Sequence, residues 1–183
     1  YQFRAGQKES PRLRRLGYTF ALSGIFNALW LVCWHYNAFG WSVLVMLTLL
    51  GLLIASYLRL DVGRTAVSSA EKWSVDVPFS VYLGWITVAT VANVTDLLYF
   101  VNWNGFGIAP QVWAVIMLVV ASIVGLLMTL TRRDSGYVFV LVWSFIGIAV
   151  KQSAEPLVAN SAWVAAGLML VLAVYSIIQR RRA

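Results

Sequence analysis

The basic residues of this chain fall into a pattern that leaves few folds open. Thirteen of the fourteen Lys and Arg residues lie in alternate connections between six apolar runs. Arg4, Lys8, Arg12, Arg14 and Arg15 precede the first run. Arg59, Arg64 and Lys72 separate the second from the third, Arg132 and Arg133 the fourth from the fifth, and Arg180, Arg181 and Arg182 follow the sixth. The other connections hold only Lys151. Cytoplasmic loops of membrane proteins carry such an excess. The pattern therefore predicts six crossings, with both ends of the chain on the cytoplasmic side. It also accounts for the net charge of +7 through anionic lipid headgroups. No interleaving of basic and aromatic residues outside the runs points to nucleic acid.

The runs cover residues 17–34, 41–58, 79–101, 110–130, 136–150 and 156–178. About 20 mostly apolar residues cross about 30 Å of hydrocarbon. A bilayer offers backbone groups no partners, so each run should be a helix. Pro110 and Pro156 suit first-turn positions, where a missing N–H costs nothing. The expected fold is an all-α, polytopic transmembrane helical bundle, forming one domain over residues 1–183. Only 11% of the residues are charged, against about a quarter in soluble domains.

Cys33 and His35 are the only residues of their kinds. Neither an internal disulfide nor a Cys/His metal cluster can be built from them. His35, beside Tyr36, reads as part of an interfacial aromatic belt. Tyr57 and Arg59 read as an interfacial Tyr with a snorkelling Arg. Residues 61–78 read as a loop or an amphipathic surface segment, and Gly105 and Gly107 as a tight turn.

The third run is the least ordinary, because it keeps an amide and a carboxylate. Tyr82, Trp85, Ala89, Ala92, Asn93 and Asp96 follow helical spacing and form one stripe. Leu83, Ile86, Thr87, Val94 and Leu97 lie largely on other faces. Polar groups in hydrocarbon are costly unless paired, so the stripe is expected to face into the bundle. Asp96 has Lys151 as a candidate ion-pair partner. The first run carries a related stripe of Ser23, Asn27, Trp30 and Trp34. Trp143, Gly147 and Lys151, and then Asn160, Trp163 and Gly167, repeat the theme in runs five and six. These faces can serve as helix–helix glue or as the wall of an aromatic pocket.

These residues resemble the tryptophan-rich sensory protein family, also called the translocator or peripheral benzodiazepine receptor family. Its fifth helix carries Pro-Tyr-x-x-Trp-x-x-x-Ala-x-x-x-Asn. Here Tyr82, Trp85, Ala89 and Asn93 match it, and Pro78 is displaced. Asn27 and Trp30 match the Asn-x-x-Trp of the family's third helix. The resemblance covers residues 17–103, and 104–183 add three further spans. It implies an upstream helix pair and lid before residue 1, in keeping with a chain that does not begin with Met. The family's Arg after the fifth helix is absent.

The resemblance implies a membrane receptor or carrier for a flat hydrophobic ligand: a tetrapyrrole of porphyrin, haem or chlorophyll type, or a sterol. The expected ligand-binding residues are Asn27, Trp30, Trp34, Tyr82, Trp85, Ala89, Asn93 and Asp96. With the lid residues absent, the pocket carries over and the family's proposed tetrapyrrole-degrading activity does not. The expected location is a bacterial cytoplasmic membrane or one derived from it, and the expected partners are membrane lipids and the hydrophobic ligand. A homodimer is one expected assembly. The alternative from another class is a non-catalytic subunit of a respiratory or photosynthetic complex.

Overall fold

The computed structural model describes Gln7 and residues 10–182; Arg4 and Lys8 lie outside the described residues. The order of elements is α1 (Pro11–Arg14), α2 (Thr19–His35), α3 (Phe39–Arg59), α4 (Ser69–Glu71), a π-helical turn (Lys72–Asp76), α5 (Val77–Phe100), a 3-10 turn (Gly105–Gly107), α6 (Pro110–Arg132), α7 (Ser135–Lys151) and α8 (Pro156–Arg182). All six long helices coincide with the six apolar runs to within a few residues at most ends. Four of the helical stretches, Phe39–Arg59, Ser69–Phe100, Pro110–Arg132 and Pro156–Gln179, are long and apolar enough to cross a membrane. The remaining two, α2 and α7, are apolar and have 17 residues each.

The chain divides into two compact units, Tyr1–Phe100 and Val101–Ala183. In the first, α3 is the middle helix and packs against both α2 and α5. Small hydroxyls mark the α2–α3 contact: the buried Ser56 Oγ lies 3.1 Å from Thr19 Oγ1. Met46, Leu49 and Leu53 of α3 are fully buried. The turn into α3 needs a left-handed residue at Asn37, with φ 56°, a conformation Asn tolerates better than most side chains. In the second unit, α8 packs against both α6 and α7. Its inward face is almost all small: Ala159, Ala162, Ala165, Ala166 and Ala173 are buried. Small residues let membrane helices approach closely.

The connection before α5 is more ordered than a plain loop. Ser68 caps α4 by accepting from the Glu71 N–H at 3.2 Å, and the π-helical turn leads directly into α5. Arg12 fastens α1 to this connection. Its Nε donates to the Leu60 carbonyl at 2.8 Å, one terminal nitrogen to Glu71 Oε1 at 2.7 Å and the other to Asp76 Oδ1 at 2.6 Å. Asp76 is 1% exposed. Tyr57, expected at the interface, is buried instead, whereas Arg59 of the same pair is exposed. In the second unit the glycine turn folds back on α6. Trp113 Nε1 donates to the Gly105 carbonyl at 2.9 Å, and Trp103 packs against Trp113 at a tilt of 53°, 5.4 Å between ring centres.

Candidate functional site

Helix α5 buries a different face from the one its polar stripe suggests. Ser80, Leu83, Gly84, Ile86, Thr90 and Asn93 are its buried residues. At about 100° per residue, the centre of the Leu83, Ile86, Thr90 and Asn93 set falls about 100° from that of Trp85, Ala89 and Asp96. Trp85 is 54% exposed, and Ala92 and Asp96 are exposed too. Tyr82 and Ala89, on the shoulder between the two faces, are half-buried. The inward-facing stripe is therefore corrected to one inward residue, Asn93, and an outward edge. The physical reason is size. A close helix contact is made with Ser, Gly, Thr and aliphatic side chains, and an indole at Trp85 would hold α5 away from α3. In the second unit Trp143, Gly147, Asn160, Trp163 and Gly167 are all exposed as well.

Asn93 spends its amide on the protein itself. Its Nδ2 donates to Ser42 Oγ of α3 at 2.7 Å, and that hydroxyl returns a bond to Oδ1 at 3.2 Å. Both residues are buried. The pair is a polar clasp between α3 and α5.

Above the clasp, at the end of the unit remote from Arg12, aromatic rings from three helices form a row. Trp30 and Trp34 of α2 lie 5.9 Å apart, Trp34 meets Phe39 of α3 edge-on at 5.4 Å, and Phe39 meets Phe100 of α5 at 5.0 Å. Such spacings suit offset and edge-to-face packing. Within the row, the indole N–H of Trp30 is buried and meets no acceptor among the described residues. Asn27, three residues earlier on the same face, is half-buried, and its side-chain amide has no partner among the described residues. Two unused polar groups thus sit beside aromatic faces.

The structure therefore brings together Asn27, Trp30 and Trp34, with Asn93 one step below them through Ser42 and Phe39. Trp85 and Asp96 face outward, and Tyr82 makes no ring contact among the described residues. Asp96 belongs to the first unit and Lys151 to the second. Sequence reasoning missed Phe39 and Phe100. Their signal was positional: each stands at a helix end, where aromatic residues read simply as interfacial anchors. Among the described residues, no three of His, Cys, Asp and Glu come together as a metal site.

No curated protein and no solved structure matches this chain. A family model described as TSPO-like protein matches residues 1–175, so the match takes in α6, α7 and most of α8 as well as residues 17–103. An all-helical chain with membrane-length apolar helices, matched over nearly its whole length, belongs to the TSPO-like family.

Proposed function

We propose that this protein is a membrane receptor or carrier that holds a flat apolar ligand against the aromatic row of its first unit. The carrying observation is the buried Trp30 N–H without an acceptor. A buried donor left unmade costs about 1–3 kcal/mol, and a ligand acceptor at this position removes that cost. Trp30 and Trp34 offer faces for a planar ring system, and Asn27 offers a second polar contact. A tetrapyrrole or a sterol has the required combination of an apolar body and a few polar groups.

The same reading includes six crossings. At about 1.5 Å per residue, α2 and α7 would each reach about 25 Å, the short end for a span. The alternation of basic connections supports counting them.

Protoporphyrin quenching of Trp fluorescence in purified protein tests the site. Trp30→Phe keeps an aromatic ring and removes the donor; it and Asn27→Leu should each weaken binding about fivefold to tenfold, the worth of one hydrogen bond. Trp85→Phe, on the outward face, should bind like wild type. Equal quenching of all four proteins would mean partition into the micelle and would remove the reading.

A second reading, an accessory subunit, has one observation in its favour: Trp143, at the middle of α7, is 74% exposed, although Trp prefers membrane interfaces to the hydrocarbon centre. Purification in mild detergent separates the two. A subunit arrives with partner chains; a receptor arrives alone or as a homodimer.

A further inference from the structure

The second unit contains a cavity of about 700 Å³ between α6 and α8. Val115, Val119 and Ile123 line it from α6, and Val164, Leu168 and Leu172 from α8. Two contacts pin the helices near its ends. At one, Gln111 Nε2 lies 3.4 Å from Glu155 Oε2. Towards the other, Gly125 permits a close approach: a Cβ there would stand 2.7 Å from both Met169 Sδ and Leu141 Cδ1. Both α6 and α8 are long and apolar enough to cross a membrane, which puts the cavity at the depth of the lipid chains.

Size narrows the occupant. The lining runs over 12 residues of α6 and 13 of α8, roughly 17 Å at about 1.5 Å per residue. The volume of 700 Å³ is the room open to the centres of water-sized molecules; over that length it leaves walls roughly 10 Å apart once the 1.4 Å radius of a water is added on each side. A helix from a second copy, at about 10–12 Å with its side chains, would have to fill it from wall to wall, whereas a single acyl chain enters it lengthwise.

Polarity narrows it further. No Lys, Arg, Asp or Glu lines the cavity, so it offers no seat for a phosphate or a carboxylate. Three polar residues line it: Ser122, part-way along α6, and Asn160 and Ser161 at one end, little more than one turn inside α8. Membrane hydroxyls ordinarily bond back to the carbonyl one turn earlier, and Ser122, Thr129 and Ser144 do so at 2.8–3.0 Å. Ser161 does not, and neither it nor the Asn160 amide has a partner among the described residues. Two neutral donors at the head of an apolar groove match a neutral acceptor such as an ester carbonyl.

We propose that the α6–α8 groove seats one acyl chain of a membrane glycerolipid, with the chain's ester carbonyl accepting from Ser161 and Asn160. The ligand row of the first unit plays no part in this inference, so either can fail without the other.

The test uses the purified protein in nanodiscs of phosphatidylcholine that carries a photoreactive diazirine on one acyl chain. Adducts at Val119, Ile123 and Leu168 are compared with those at Val120, Leu127 and Leu170. The two sets are similarly exposed, but only the first lines the cavity. Labelling of the first set should exceed the second about fivefold, the partition that about 1 kcal/mol gives. Val164→Trp, a change at a lining residue that is itself exposed, should fill the groove and abolish the excess. Ser161→Ala should reduce it without altering thermal stability, which keeps the test decisive if Val164→Trp does not fold. Equal labelling of the two sets overturns the proposal, since ordinary surrounding lipid would do that. Preferential labelling of the lining by a diazirine sterol over the acyl probe overturns it too. So does a disulfide between two copies carrying Ile123→Cys in a Cys33→Ser background.

Discussion

Asn93 and Ser42 bond to each other in both directions across α5 and α3, at 2.7 and 3.2 Å. An amide that sequence reasoning assigns to a ligand is thereby spoken for. Removing one partner strands the other in a buried site. Ser42→Ala should therefore cost about 1 kcal/mol of stability in detergent, between the average for membrane hydrogen bonds and the penalty for an orphaned buried group. The double variant Ser42→Ala/Asn93→Leu should be no worse than Ser42→Ala alone, because both polar groups are gone. Thermal unfolding of wild type, Ser42→Ala, Asn93→Leu and the double variant checks this, and additive losses of the two single variants would break the clasp model.

Leu83 and Ala92 test which face of α5 is inward. Leu83 is buried and Ala92 exposed. Leu83→Phe should cost about 1–3 kcal/mol through overpacking, while Ala92→Phe should leave thermal stability unchanged. The reverse order would restore the Trp85 stripe as the packed face.

Gly125 and Gly167 make a second contrast, in the other unit. A methyl group at Gly125 would meet Leu141 and Met169 at 2.7 Å, whereas one at Gly167 meets nothing within 4 Å. Gly125→Ala should lower stability by about 1 kcal/mol, since Met169 is flexible enough to yield in part. Gly167→Ala should be neutral or mildly stabilising, because Ala is the better helix former by about 1 kcal/mol. Denaturation in a single detergent suffices to compare them.

Arg12 anchors a network that Lys cannot reproduce. Its planar fork serves Glu71, Asp76 and the Leu60 carbonyl together, and an ammonium lacks that geometry. Arg12→Ala should cost about 3 kcal/mol, the scale for breaking a buried ion pair, and Arg12→Lys should recover only part. Burial works against the Arg12 charge, but hydrogen bonds to Asp76 and Glu71 outweigh it and raise the guanidinium pKa. A raised value means that this stabilisation is complete below the unfolded pKa and is lost only as pH climbs past the folded one. The contribution of Arg12 should therefore stay constant from neutral to moderately alkaline pH, as the difference in melting temperature between wild type and Arg12→Ala would show.

Topology follows from charge. With Cys33 replaced, single cysteines at Arg64, Arg132 and Arg181 should all react with an impermeant thiol reagent from the same side of the membrane. Labelling of any one from the opposite side would change the number of crossings.

The sequence by itself determined the helices. A long apolar run satisfies its backbone most readily as a helix, so length and hydropathy place α2, α3, α5, α6, α7 and α8. Periodicity also puts Asn27, Trp30 and Trp34 on one face of α2. What periodicity leaves open is rotation. It groups Trp85, Ala89, Asn93 and Asp96 on one side of α5 without saying which edge meets a neighbour, and in hydrocarbon the apolar faces give no contrast to choose by. Tertiary packing decided that. Close contact favours Ser80, Gly84 and Thr90 over Trp85, so α5 turned by about one residue, Asn93 found Ser42, and Trp85 and Asp96 were left outside. The aromatic row and the α6–α8 cavity depend on how helices meet across long sequence separations, so only the folded unit could place Phe39 beside Phe100 or Asn160 at the head of a groove.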